Sequence, residues 1–183
     1  MDDRLRGVLS PPSTVLRHRL TSPGTRDDER WLDGNRSIDH LVVAPSGVWV
    51  VIAGHDTGPV TSGRSGDGLA DRECLFVGGR DRSEFVRAAS VAAREVGRSL
   101  DDAGFVSVPV RAVVCLVRAQ WEWCAAPLLV GSVMVTWPSQ LVDDVKQTHE
   151  CSDETVRRVA AHVGAAFPAR SAPVNDRSLV AGG

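Results

Sequence analysis

Ser37–Ala53, SIDHLVVAPSGVWVVIA, sets two runs rich in Val and Ile on either side of a Pro45-Ser46-Gly47 break. Apolar runs about such a break read as two antiparallel strands and a tight turn. If the turn closes between Ala44 and Gly47, the numbers of facing residues sum to 91: Leu41 faces Val50, Val43 faces Val48 and Asp39 faces Ile52. Side chains alternate along a strand. One face therefore carries Ser37, Asp39, Leu41, Val43, Val48, Val50, Ile52 and Gly54, and the other Ile38, His40, Val42, Trp49, Val51 and Ala53. Both are largely apolar, which predicts a central hairpin covered on both sides. Asp39 is the exception, a carboxylate among hydrocarbons. It needs either a cation or a hydrogen-bond partner from the backbone, Ser37, His40 or an Arg.

Working outward, Thr14–Leu20 alternates with a period of two and reads as a strand with one buried face. Thr21–Arg36 is a polar loop holding Asp27, Asp28, Glu29 and Asp33; it reads as solvated, or as a source of further cation ligands near Asp39. His55–Gly68 is rich in Gly and Ser and is expected to be a flexible loop, with at most a short strand at Pro59–Thr61. Glu73–Val77 reads as a strand ending at Gly78-Gly79.

Arg80–Leu100 is the strongest helix in the chain. Asp81 or Ser83 can cap it, and Phe85, Ala89, Ala92, Val96 and Leu100 form its apolar stripe. Arg87, Arg94 and Arg98 form a row on another face, either a nucleic-acid backbone contact or a solvated face paired with Glu84 and Glu95.

Val108–Val117 is a buried strand, and Leu128–Thr136 the next. Trp121 and Trp123 are read as packing the edge of a core, with a stacking platform as the alternative. Ser139 is expected to cap the short helix QLVDDVKQ, and Ser152 or Asp153 a last helix with Val156, Val159, Ala160, Val163 and Phe167 on one side.

At 183 residues the chain suits one domain, here 14–167, between a short segment 1–13 and a polar tail 168–183 expected to be disordered. A net charge of −2 gives no global attraction to nucleic acid, so such binding needs a local patch. Of 21 basic residues only Lys146 is a lysine. No stretch is apolar and long enough to span a bilayer, and MDDRLRGVLSPPS lacks the apolar core of a secretory signal, so the cytoplasm is the expected compartment. Cys74, Cys115, Cys124 and Cys151 form no Cys-x-x-Cys pair and are read as reduced thiols.

IDHLVVAPSGVWVV resembles the core of the nuclease-related NERD domain, a branch of the PD-(D/E)xK superfamily. Ile38-Asp39-His40, Gly47 and Gly58 carry the likeness, with a weaker one at LFVGGRDR. The resemblance implies an α/β fold, a mixed central sheet flanked by helices with a restriction-endonuclease-like αβββαβ core. It also implies a magnesium or manganese site in which Asp39 would be a metal ligand and the retained catalytic acid.

Acid-x-Lys should then follow on the second strand, where this chain has Ile52-Ala53-Gly54. The upstream Gly-Glu pair is missing as well, with only Asp2 or Asp3 to stand in, and Ala92 takes the place of a helical Gln. Hydrolysis of a phosphodiester needs a cation to hold the phosphoryl oxygen and activate water. The expectation is therefore a degenerate nuclease domain without a cofactor, serving as a binding or regulatory module with nucleic acid or a protein as partner and no membrane. The rival is an active metal-dependent nuclease with ligands relocated to His55, Asp56 or the acidic loop. A third reading is a structural oligomerisation partner.

Overall fold

The computed structural model describes residues 11–21, 37–65, 72–122, 125–147 and 150–169. The hairpin is β2 (Ser37–Ala44) and β3 (Gly47–Gly54), and its register is the expected one: His40 faces Val51, Leu41 faces Val50 and Val43 faces Val48. Its turn is fastened from several directions. Ser46 Oγ donates to the Val145 carbonyl at 2.6 Å and accepts from Trp49 Nε1 at 3.0 Å, while the Arg111 guanidinium donates to the Ser46 carbonyl. Gly47 has φ 110°, and a Cβ there would lie 2.5 Å from the Pro109 carbonyl oxygen, so only glycine fits this turn.

β1 (Thr14–Leu20) pairs antiparallel with β2 on one side. On the other, β7 (Val110–Leu116) runs parallel to β3, with Val50 beside Ala112 and Gly54 beside Leu116. β10 (Val133–Thr136) continues the sheet parallel to β7, and β9 (Leu128–Val130) closes it, giving the order β1-β2-β3-β7-β10-β9. The expected single strand over Leu128–Thr136 is thus a hairpin, because Gly131 takes φ 60° and turns the chain back.

Three helices among the described residues cover this sheet: α1 (Ser83–Asp102), α2 (Pro138–Gln147) and α3 (Asp153–Ala166). Leu41, Val43, Val48 and Val50 pack with Ala92, Val96 and Leu100 of α1 and with Val156, Val159 and Val163 of α3. The opposite face, Val42, Trp49 and Val51, packs on Leu141, Val142 and Val145 of α2. Both faces of the hairpin are dry, as its two-sided apolar pattern requires.

One residue breaks the alternation. Ile38 belongs with Leu41 in the α1–α3 core and not with Val42. The reason lies at the strand end: the β2–β3 ladder stops at His40–Val51, whereas β2 stays paired with β1 to Ser37, next to His18 with φ 44°.

A second sheet runs β6-β5-β4-β8. β4 (Gly58–Ser65) pairs antiparallel with β5 (Arg72–Val77), so the expected flexible loop is an eight-residue strand. Its glycines answer to partners that are distant in sequence: a Cβ on Gly58 would meet Gly78 Cα at 2.6 Å, and one on Gly63 would meet Phe76 at 3.3 Å. β6 (Arg80–Asp81) and β8 (Ala119–Gln120) complete this sheet, so the helix expected from Arg80 begins at Ser83.

Asp81 still marks the start of α1, because its Oδ1 accepts the Ser83 N–H at 2.8 Å. α2 begins at Pro138, which suits the first helical turn, and so encloses Ser139 instead of being capped by it. Ser152 does cap α3, accepting the Thr155 N–H at 3.3 Å. Pro168 and Ala169, expected in the tail, are tied to β1: the Pro168 carbonyl accepts the Leu20 N–H at 3.0 Å and Ala169 bridges Arg19. No helix among the described residues is long and apolar enough to cross a membrane.

Candidate functional site

Position 39 sits where β2 leaves β3. Past the last ladder pair, Asp39 Oδ2 accepts the Ala53 N–H at 2.8 Å. A carboxylate here takes the role that a facing backbone carbonyl would play in an unbroken ladder, and the half-buried strand end keeps its amide satisfied. The backbone, among the partners expected for Asp39, is present as the Ala53 amide. His40 beside it is buried, facing Val51 on one side and Arg17 on the other.

The two neighbouring positions hold no chemistry. Ile52 is 7% exposed and packs with Leu75, Ala89, Val114 and Leu116. Gly54 is buried, and a Cβ on it would lie 2.6 Å from Leu116 Cδ2 and 3.2 Å from Phe85 Cε2. The space that a lysine stem would need at position 54 is filled by hydrocarbon from β7 and α1. Ala92, in the place of the helical Gln, is core as well.

The relocated ligands are otherwise engaged or lie elsewhere. Asp56 Oδ1 receives Arg82 Nε at 2.7 Å and Nη2 at 2.6 Å. This pair braces the chain after β3 against the start of α1, beside a small polar hollow lined by His55, Thr57, Gly78 and Arg80. Among the described residues, no three His, Cys, Asp or Glu side chains come together as cation ligands. The acidic loop residues Asp27, Asp28, Glu29 and Asp33, and Asp2 and Asp3, lie outside the described residues.

The arginine row divides. Arg87 and Arg94 line a cleft of about 550 Å³ between α1 and the β9–β10 turn, and Arg98, further along α1, does not. Arg72 at the start of β5 joins them, together with Ser90, Ser132 and an apolar floor that includes Val91, Val130 and Val133. Glu73 fixes the turn, its Oε2 accepting the Gly131 N–H at 2.6 Å. Arg72 and Glu73 had no sequence signal beyond their charge, since only the strand pairing brings them to α1.

Trp121 packs on Trp137 with ring centroids 4.9 Å apart at the edge of the core, and Trp123 lies outside the described residues. Cys74, Cys115 and Cys151 are free thiols. Burial pushes the Cys115 thiol up to about 12, so it stays protonated and inert. Comparison of the chain with protein-family models, with curated proteins and with solved structures finds no match.

Proposed function

We propose that the chain is a nuclease-like domain of the NERD type whose phosphodiester-cleaving site has degenerated, and that it works as a non-catalytic binding module. The observation that carries this reading is the fate of position 39 and its neighbours. The Asp39 carboxylate accepts a backbone N–H, beside an aliphatic side chain at 52 and a closed position at 54. A magnesium site needs several oxygens about one point, and a catalytic lysine needs a channel to the water it orients. Leu116 and Phe85 occupy the space that a side chain at 54 would enter.

The order of elements supports the PD-(D/E)xK-like reading of the fold. Three antiparallel strands, β1 to β3, are followed by α1 and then by β7 parallel to β3, although the strands β4 to β6 intervene before α1. Nucleic acid is the ligand class we favour, on the strength of the basic residues gathered on one side of α1.

The decisive experiment incubates the full chain with supercoiled plasmid and with single-stranded RNA, in magnesium or manganese, with and without chelator. The expected outcome is no chelator-sensitive cleavage. Cleavage abolished both by chelator and by Asp39→Ala would establish the active enzyme instead.

A further inference from the structure

The face of α1 that carries Val86, Arg87, Ser90, Val91 and Arg94 is set against the turn Val130–Val133, and the volume between them is about 550 Å³. That size suits a single small molecule and is too small for a duplex. The floor and the rim differ in chemistry. Val91, Val130 and Val133 are buried beneath the cleft, whereas Arg72 and Arg94 are exposed at its edge with Arg87 between core and surface.

Among the described residues that line the cleft, Arg72, Arg87 and Arg94 are basic and Glu73 is acidic, its Oε2 accepting the Gly131 N–H at 2.6 Å. Arg87 also feels Asp81, at the corner where α1 begins. The Ser83 hydroxyl is occupied, accepting the Leu75 N–H at 3.2 Å, which leaves Ser90 and Ser132 as the hydroxyls lining the cleft.

We propose that this cleft binds a nucleoside phosphate. The half-buried Val86 and the aliphatic stems beside it receive the face of the base, and the arginine rim receives the phosphate oxygens, for which planar guanidinium forks are well shaped. None of Asp39, Ile52 or Gly54 lines the cleft, so the inference does not depend on the loss of nuclease chemistry, although it draws on the same arginines as the nucleic-acid reading.

Isothermal titration of the full chain with ADP and with GDP tests it, alongside adenosine, inorganic phosphate and a single-stranded oligonucleotide. The expected result is one saturable site for at least one of the two diphosphates. Adenosine or phosphate alone should bind about tenfold more weakly or worse, since each lacks half of the ligand. Arg94→Gln and Arg72→Gln should each weaken diphosphate binding about tenfold. Both side chains are at the surface, and unchanged melting temperatures would show the variants folded. Arg98→Gln should bind as the parent does.

Four results would overturn the proposal: no heat with either diphosphate, binding indifferent to Arg72 and Arg94, phosphate alone binding as tightly as the nucleotides, or an oligonucleotide that outcompetes them in a manner dependent on Arg98. Nicking activity has no bearing on any of these outcomes, so failure here and failure of the degenerate-nuclease reading are separable.

Discussion

Asp39 shows how a carboxylate can serve the end of a strand ladder. Its carboxylate holds the Ala53 amide at the end of a ladder. Asp39→Ala should therefore cost about 1–3 kcal/mol in urea unfolding, because it leaves a strand-end N–H unpaired. Asp39→Asn keeps an acceptor and should cost clearly less. Equal losses in the two variants would point to charge as the requirement. At Gly54 the constraint is space: Gly54→Ala drives a methyl toward Leu116 and Phe85 and should destabilise by about 1–3 kcal/mol, read as a shift of the unfolding midpoint. Asp81 gives a pH signature. Its hydrogen bonds with Ser83 hold its carboxyl below the ordinary value of 3.8. The stability this adds is fully present above pH 3.8 and is lost as the pH falls through the lower folded-state value. Asp81→Ala should therefore melt below the parent at neutral pH, and the gap should narrow in acid.

Among the elements, those with a strong local period were legible and those made by distant partners were not. α1 and α3 announced themselves through apolar spacing, and Val96→Ala in α1 should cost about 1–3 kcal/mol in chemical denaturation, since Val96 is fully buried against the hairpin. The hairpin was legible to the register, because a slip by one residue would have moved polar His40 and Asp39 relative to the turn. β4 was not, because Gly, Pro and Ser, which make up most of it, have weak strand preference. Only the facing residues of β5, Leu75, Phe76 and Val77, make a strand of it. The site divides in the same way. The interest of positions 52 and 54 came from the family resemblance, and the register only placed them near 39. The cleft beside α1 could not be read from the sequence, since Arg72, Glu73 and the β9–β10 turn reach α1 only through the completed sheets. The arginine spacing on α1 was half of that signal, and it named Arg98, which the cleft leaves out.

For the whole molecule, the arrangement puts a strand without charged side chains near the middle of the larger sheet. β3 is flanked by β2, its neighbour in the chain, and by β7, which comes only after β4, β5, β6 and α1 in the sequence. Val48 must wait for Val110 and Ile52 for Val114. On the ribosome that wait is an interval in which one side of β3 has amides and carbonyls with nothing to bond and valines with nothing to cover them. Polypeptides stalled before Val110 should stick to one another through this open margin, as light scattering would register, while those released beyond Ala169 stay dispersed. The parallel join at the centre of the sheet thus leaves this margin open for the time it takes to translate from Gly54 to Leu116.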